Sequence, residues 1–152
     1  MAEAKRIAEQ HRRAYHGEAW HGPSVFEALE GVSAAAAARH PIAGAHSIWE
    51  LVHHLTSWER IVRSRVEGNP IDATADLDWP AVPAPTAKAW REARAALEAE
   101  SDALRKSIGR LTDRKLQTKR PGTSGTYYEL VHGQIQHALY HAGQMVLLAK
   151  GR

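Results

Sequence analysis

The stretch S-I-W-E-L-V-H-H-L-T-S-W-E-R-I-V-R-S-R-V-E-G-N-P, residues 47–70, decides the fold class. Ser47 followed by Glu50 predicts a capping box, in which each side chain bonds the backbone N–H of the other residue, so a helix begins here. Apolar residues then recur at helical spacing until Gly68 and Pro70 stop the helix. They form one stripe, made of Ile48, Leu51, Val52, Leu55, Trp58, Val62 and Val66. The stretch therefore predicts a long amphipathic helix that buries one face.

A second capping box, formed by Thr126 and Glu129, predicts another long helix that ends at Lys150. A third helix opens near Thr86 and runs to about Ile108. The N-terminal part is less regular. Helical stretches are predicted there at 2–15, 24–31 and 34–38, with a break at 16–23.

The remaining segments, 68–85 and 109–125, are predicted to be long connections. The first of them contains four prolines and several aspartates. No alternating strand pattern appears. The sequence therefore predicts an all-α fold, a four-helix bundle with long connections, as a single domain over residues 1–152.

Composition excludes several kinds of chemistry. The chain has 152 residues, of which 43% are hydrophobic and 24% charged, an ordinary globular balance. Cysteine is absent, so a disulfide, an iron–sulfur cluster, a thiolate zinc site and a catalytic thiol are all excluded. No apolar run is long enough to cross a bilayer, and the charged N-terminus does not resemble a secretory signal. We therefore expect a cytoplasmic protein without membrane contact.

The charge balance is mildly basic, with a net charge of +3 and a pI of about 9.4. The densest basic stretch, residues 114–120, carries four positive charges and no aromatic residue. A nucleic-acid surface typically combines a basic stripe with stacking aromatics, so a solvated loop is the favoured interpretation. The chain's ten histidines, against one phenylalanine, are the more informative feature, because histidine is the commonest metal ligand.

Helical periodicity separates the adjacent His53 and His54. His53 falls roughly 160° from the middle of the apolar stripe, which predicts the solvent side. His54 falls roughly 100° away, at the flank where two packed helices enclose a groove. His54 is therefore the candidate ligand on this helix.

The last helix repeats this arrangement. Gln134, His137 and His141 form a polar line along the flank of its apolar stripe. Side chains four residues apart on a helix are about 5–6 Å apart at Cβ, a spacing at which two imidazoles can share one metal ion. A pair of histidines at this spacing also occurs by chance, on the wet side of a helix. The spacing alone leaves both interpretations open.

Two segments together resemble the DinB-like, or YfiT-like, four-helix-bundle proteins. These are S-I-W-E-L-V with H-L-T-S-W-E (47–52 and 54–59), and V-H-G-Q-I-Q-H-A-L-Y-H-A-G-Q-M (131–145). The resemblance implies a divalent metal held by three histidines, which map onto His54, His137 and His141. It also implies a homodimer and a small-molecule substrate. Such proteins include S-transferases and isomerases that use low-molecular-weight thiols such as bacillithiol, mycothiol or glutathione, and metal-dependent hydrolases.

One departure from the resemblance bears on the metal. Relatives that oxidise sulfur with iron carry H-x-x-x-H-x-E, and Gly143 stands where that glutamate would be. Three histidines without a carboxylate suit zinc or nickel ahead of manganese or iron. With such a metal, water or a low-molecular-weight thiol is the expected nucleophile, and any thiol must come from a cosubstrate because the chain has no cysteine.

Several side chains are expected around the three histidines without a defined catalytic role, and no general base is assigned. Glu59 lies roughly 140° from His54 on the helix, and Glu50 is engaged in the capping box. The candidate neighbours are Gln134, His132, Trp58, Tyr140 and Gln144. Two alternatives to an enzyme stay open: a dimeric bundle that binds a metal or a ligand without catalysis, and, less favoured, a nucleic-acid accessory protein.

Overall fold

The structure, a computed structural model, describes residues 2–151, which form eight helices. In chain order they are α1 (Glu3–His16), α2 (Val25–Ala28), α3 (Ala34–Ala37), α4 (Ile48–Val66), α5 (Ala75–Asp78), α6 (Ala87–Gly109), α7 (Asp113–Leu116) and α8 (Tyr127–Lys150). Helices α1, α4, α6 and α8 are long, and the other four have a single turn each. No strand is assigned within the described residues, although Lys119 and Thr126 form an isolated antiparallel bridge. The all-α prediction is confirmed.

The predicted capping boxes set where the two central helices begin. Ser47 Oγ accepts a hydrogen bond from the Glu50 N–H at 3.2 Å, and the Glu50 carboxylate accepts one from the Ser47 N–H. Thr126 and Glu129 form the same reciprocal pair at the start of α8. At the end of α4 the chain turns at Gly68, whose φ of 86° lies in the left-handed region that favours glycine.

The long helices are arranged as the four corners of a bundle. Helix α4 packs beside α6 and α8, and α1 packs against the same two helices from the opposite corner. The core fills the space between them and includes nearly all of the predicted apolar stripe of α4. Trp49, which lies outside that stripe, is also fully buried, against Trp90 of α6. The buried face of α4 is therefore wider than periodicity predicted.

Both predicted connections contain a turn of helix. Helix α5 lies within 68–85 and α7 within 109–125. At α7, Thr112 Oγ1 caps the helix by accepting a hydrogen bond from the Lys115 N–H at 3.1 Å. Single turns are too short to show a hydrophobic period, so sequence patterning does not reveal them. Within residues 2–151, no helix combines the length and apolar character that a membrane crossing requires.

Candidate metal centre

Three histidine side chains from two neighbouring helices meet at one point. His54 comes from α4, and His137 and His141 come from α8. The Nε2 atom of His137 lies 2.9 Å from that of His54 and 3.0 Å from that of His141. One ligand nitrogen from each residue falls within 4.8 Å of the others, which is a spacing that allows one metal ion to be held by all three. The structure thus brings together the three residues that the sequence singled out.

The three imidazole rings are arranged edge to face around the point where their nitrogens meet. The planes of the three imidazoles are inclined to one another at 73° to 80°, with ring centroids 4.6 to 4.9 Å apart. Each ring therefore presents an edge to the other two. The spacing of His137 and His141, one turn apart on α8, places two of these edges side by side.

Two of the histidines are fixed by hydrogen bonds at their other nitrogen. Nδ1 of His54 lies 2.6 Å from the main-chain oxygen of Asp78, and Nδ1 of His141 lies 2.6 Å from Oε1 of Gln144. Because a carbonyl oxygen only accepts, each Nδ1 carries the proton and each Nε2 keeps a lone pair. The lone pairs of His54 and His141 therefore point at the centre. Partners of this kind typically orient metal-binding histidines.

The third histidine is held differently. Nδ1 of His137 is buried without a hydrogen-bond partner among the described residues, while its Nε2 faces both other rings. Burial lowers the pKa of all three imidazoles. The pKa of His137 falls to about 4, because the neighbouring His141 and His54 lower it further. At neutral pH the cluster is therefore uncharged, which is the state in which imidazole binds a metal. The donor set fits a divalent ion.

The segment between α4 and α6 covers the cluster. The indole of Trp79 stacks on the His54 ring at a centroid distance of 4.0 Å, and its ring also stacks on His46, at 3.5 Å. Next to it, Oδ1 of Asp78 accepts a hydrogen bond from Nε1 of Trp58 at 2.7 Å and lies 3.3 Å from Nδ1 of His54. Asp78 and Trp79 were not among the predicted site residues. One feature of the sequence could have indicated their role. A solvated connection rich in proline and aspartate has little reason to carry a tryptophan, so Trp79 indicates that this segment packs against the bundle.

Some of the predicted neighbours contact the histidine cluster, and one of them does not. Gln144 contacts His141 directly, and the exposed Tyr140 packs edge-on against the same ring at 5.1 Å. His132, expected near the rim, packs instead on Tyr128 with a centroid distance of 4.3 Å. No contact joins it to the three histidines within the part of the chain that the structure describes.

An apolar cleft opens beside His137. Trp58 packs edge-on against the His137 ring at 5.8 Å, and both residues line a cavity of about 280 Å³ together with Gln134. The other lining residues are Val62, Glu129, Leu130 and Gly133. A small molecule in this cleft would lie next to the nitrogen cluster.

Gln134 also belongs to a buried polar network that sequence reasoning missed. The carboxylate of Glu59, fully buried in the bundle, accepts hydrogen bonds from Gln134 Nε2 at 2.6 Å, from the Tyr15 hydroxyl at 2.6 Å and from His11 Nε2 at 2.8 Å. The network joins α1, α4 and α8. Glu59 therefore faces away from the three histidines, consistent with its predicted angular separation from His54. His53 likewise stays outside the cluster, where it is half-buried and accepts a hydrogen bond from Trp49 Nε1.

The fold and the cluster together define a class: a helical bundle in which two adjacent helices aim three histidines at one point that can hold a metal ion. The model of the DinB superfamily matches residues 20–145, and the chain belongs to that superfamily. No curated protein and no solved structure matches the chain significantly.

Proposed function

We propose that this protein is a divalent-metal-dependent enzyme whose three-histidine centre acts on a small electrophile, with water or a low-molecular-weight thiol as the nucleophile. One observation carries the proposal: the Nε2 atoms of His54, His137 and His141 converge, and two of the rings are oriented by acceptors at Nδ1. Zinc and nickel are the preferred ions for three imidazoles, ahead of manganese and iron. A divalent ion with three protein ligands acts as a Lewis acid and lowers the pKa of a water or thiol that it contacts.

The surroundings of the centre indicate what the chain itself contributes. Trp79 stacked on His54 limits the access of water from that side. The cleft lined by Trp58, Val62 and Leu130 offers an apolar surface next to His137, where the body of a small electrophile can bind. Because the chain has no cysteine, a thiol nucleophile has to enter as a cosubstrate.

A homodimer and a cytoplasmic location are parts of the same proposal. Two large apolar side chains seven residues apart on the same face of α8, Tyr140 and Leu147, are 66% and 63% exposed. This exposed apolar pair supports packing of α8 against a second copy of the chain. Tyr140 also contacts His141, so an interface formed there would adjoin the centre.

The first test is the metal content of untagged protein, measured by inductively coupled plasma mass spectrometry. We expect about one equivalent of metal per chain in the wild type. The triple variant His54→Ala, His137→Ala, His141→Ala should hold none, and His21→Ala, which changes an exposed histidine outside the cluster, should match the wild type. Failure to bind zinc, nickel or manganese after reconstitution would refute the proposal.

A second test separates catalysis from binding alone. Metal-loaded protein is incubated with a panel of small electrophiles, with and without each low-molecular-weight thiol, and product is followed by mass spectrometry. Turnover that requires the three histidines supports the enzyme. A metal that raises the melting temperature without any turnover would instead support a non-catalytic metal-binding bundle.

A further inference from the structure

A second cavity, of about 340 Å³, lies between the C-terminal end of α4 and the segment that precedes α8. Two arginines line it, Arg65 from α4 and Arg120 from the segment 117–126. The remaining lining residues are Gly68, Pro70, Ile71, Asp72, Pro121, Thr123 and Tyr127. The cavity is therefore separate from the cleft beside His137 and does not include any of the three histidines.

Neither of these guanidinium groups has an ion-pair partner within the described residues. Other arginines of the chain do: Arg63 bonds Glu100 at 2.9 Å, and Arg105 bonds Asp102 at 3.1 Å. Nε of Arg120 is buried and has no hydrogen-bond partner among residues 2–151. An unpaired buried N–H of a charged group is costly, and it is typically satisfied by a ligand or by water.

The two cations are close enough to affect each other. The pKa of Arg65 is lowered by burial and, to a smaller extent, by the charge of Arg120, whereas the carboxylate of Asp72 raises it. Among the lining residues Asp72 is the acidic one, and the carboxylate of Glu129, which lines the neighbouring cleft, also interacts with Arg120. An anion between them would relieve the repulsion.

The main chain on both sides of Arg120 is held by hydrogen bonds. Its N–H donates to the Gly125 carbonyl at 2.9 Å, and the neighbouring Lys119 and Thr126 form the antiparallel bridge. A Cβ atom on Gly125 would lie 2.8 Å from Nη2 of Arg120, closer than side chains normally approach. The glycine therefore leaves the space that the guanidinium occupies.

From these contacts we propose that the cavity between Arg65 and Arg120 binds the oxyanion of a small molecule, a carboxylate or a phosphate. Two guanidinium groups supply paired N–H donors that match the oxygens of either group. Tyr127, which lines the same cavity, carries a hydroxyl that can serve as a further donor, whereas the Thr123 hydroxyl already donates to the Gly125 carbonyl. The cavity has room for a small metabolite around the charged group.

The position of Arg65 connects this site to the histidine cluster. Its guanidinium lies 5.7 Å from the centroid of the Trp58 ring, and Trp58 in turn packs against His137 and lines the neighbouring cleft. A molecule anchored by its anionic end at the arginines could thus extend along Trp58 towards the centre. Binding of the anion itself requires no metal.

The test is isothermal titration calorimetry at low ionic strength, with inorganic phosphate and succinate as separate probes. Both are titrated into the wild-type protein and, in parallel, into the His54→Ala, His137→Ala, His141→Ala variant, in which metal binding makes no contribution to the heat. We expect one anion per chain, and a preference between the two probes identifies the oxyanion. Arg65→Gln and Arg120→Gln should each weaken binding by roughly tenfold or more, as expected for the loss of a charge-assisted hydrogen bond.

Two further variants make the result specific. Gly125→Ala keeps both charges but displaces the Arg120 guanidinium, and it should also weaken binding. Arg91→Gln removes an exposed charge that does not line the cavity, and it should leave binding unchanged within about twofold. The proposal is wrong if neither probe binds at millimolar concentration, or if Arg91→Gln weakens binding as much as Arg65→Gln does. Either result leaves the metal-content test unaffected.

Discussion

The main-chain oxygen of Asp78 lies 2.6 Å from Nδ1 of His54, although 24 positions separate the two residues in sequence. Asp78 is the last residue of the single-turn helix α5, so its carbonyl is one of those that a helix leaves without an internal partner. The imidazole N–H satisfies that carbonyl, and the carbonyl in turn fixes the orientation of the ring. A short helix in a connection thus positions a candidate metal ligand.

The side chain of Asp78, whose Oδ1 lies 3.3 Å from Nδ1 of His54, should also affect metal affinity without itself touching the metal. Asp78→Ala keeps the main-chain carbonyl but removes the carboxylate that accepts from Trp58 and lies beside His54. We expect zinc affinity to fall by roughly tenfold, because partners of this kind typically contribute 10- to 100-fold. Competition against a chromophoric chelator measures the change. Asp76→Ala, an exposed acidic residue of the same helix, is the matched control, and equal affinities for the two variants would contradict the prediction.

Gln144 offers a second test of ring orientation. Gln144→Leu removes the acceptor for Nδ1 of His141 at similar side-chain volume, so zinc affinity should fall by about 10- to 100-fold. Gln144→Glu restores an acceptor at the same place, and affinity should recover. Gln136→Leu, an exposed glutamine on the same helix, controls for the added apolar surface. The role assigned to Gln144 is wrong if the glutamate variant binds no better than the leucine variant.

The helices that carry the histidines were predictable because their signals are local. Ser47 with Glu50 and Thr126 with Glu129 mark the two helix starts within four residues each, and periodicity along each helix then places the histidines at the flank. Asp78 and Trp79 were not predictable in this way. Their contacts depend on how an 18-residue connection, 68–85, docks onto α4, and no local pattern encodes that docking.

Glu59 shows the other limit of sequence reasoning. Its position on α4 gave its angle from His54 but not its partners, which come from α1 and α8 at separations of 48, 44 and 75 residues. A buried carboxylate is recognisable only when the residues that satisfy it are known. The helical wheel of α4 alone shows a charged residue next to an apolar stripe, which is equally typical of a surface position.

Breaking this network should cost more stability than losing any surface carboxylate. Glu59→Ala leaves His11, Tyr15 and Gln134 without their shared acceptor in the buried interior of the bundle. We expect the free energy of unfolding to fall by about 3–5 kcal/mol, because a buried donor that loses its acceptor costs about 1–3 kcal/mol and three donors lose theirs here. Urea denaturation followed by circular dichroism measures it. Glu98→Ala, at an exposed position on α6, should change it by less than about 0.5 kcal/mol, and similar values for the two variants would contradict the buried network.

Alkaline pH should destabilise the protein through Tyr15 in the same network. Burial, together with the adjacent Glu59 carboxylate, raises the pKa of Tyr15 well above its usual value of 10.0. The folded state therefore keeps the phenol proton at a pH where the unfolded chain has released it. Since the unfolded state then binds fewer protons, the free energy of unfolding falls as pH rises above about 10, by up to about 1.4 kcal/mol per pH unit from this group.

Tyr15→Phe isolates that contribution. Phenylalanine has no proton to release, so the variant should be less stable than the wild type at neutral pH but lose stability less steeply between pH 9 and 11. Urea denaturation across this range gives both slopes, and Tyr140→Phe, at a tyrosine that is 66% exposed, should follow the wild-type curve. Parallel curves for Tyr15→Phe and the wild type would mean that the buried phenol is not what links stability to alkaline pH. A shallower curve for the variant would show that Tyr15 stays protonated in the folded bundle, as its short hydrogen bond to Glu59 requires.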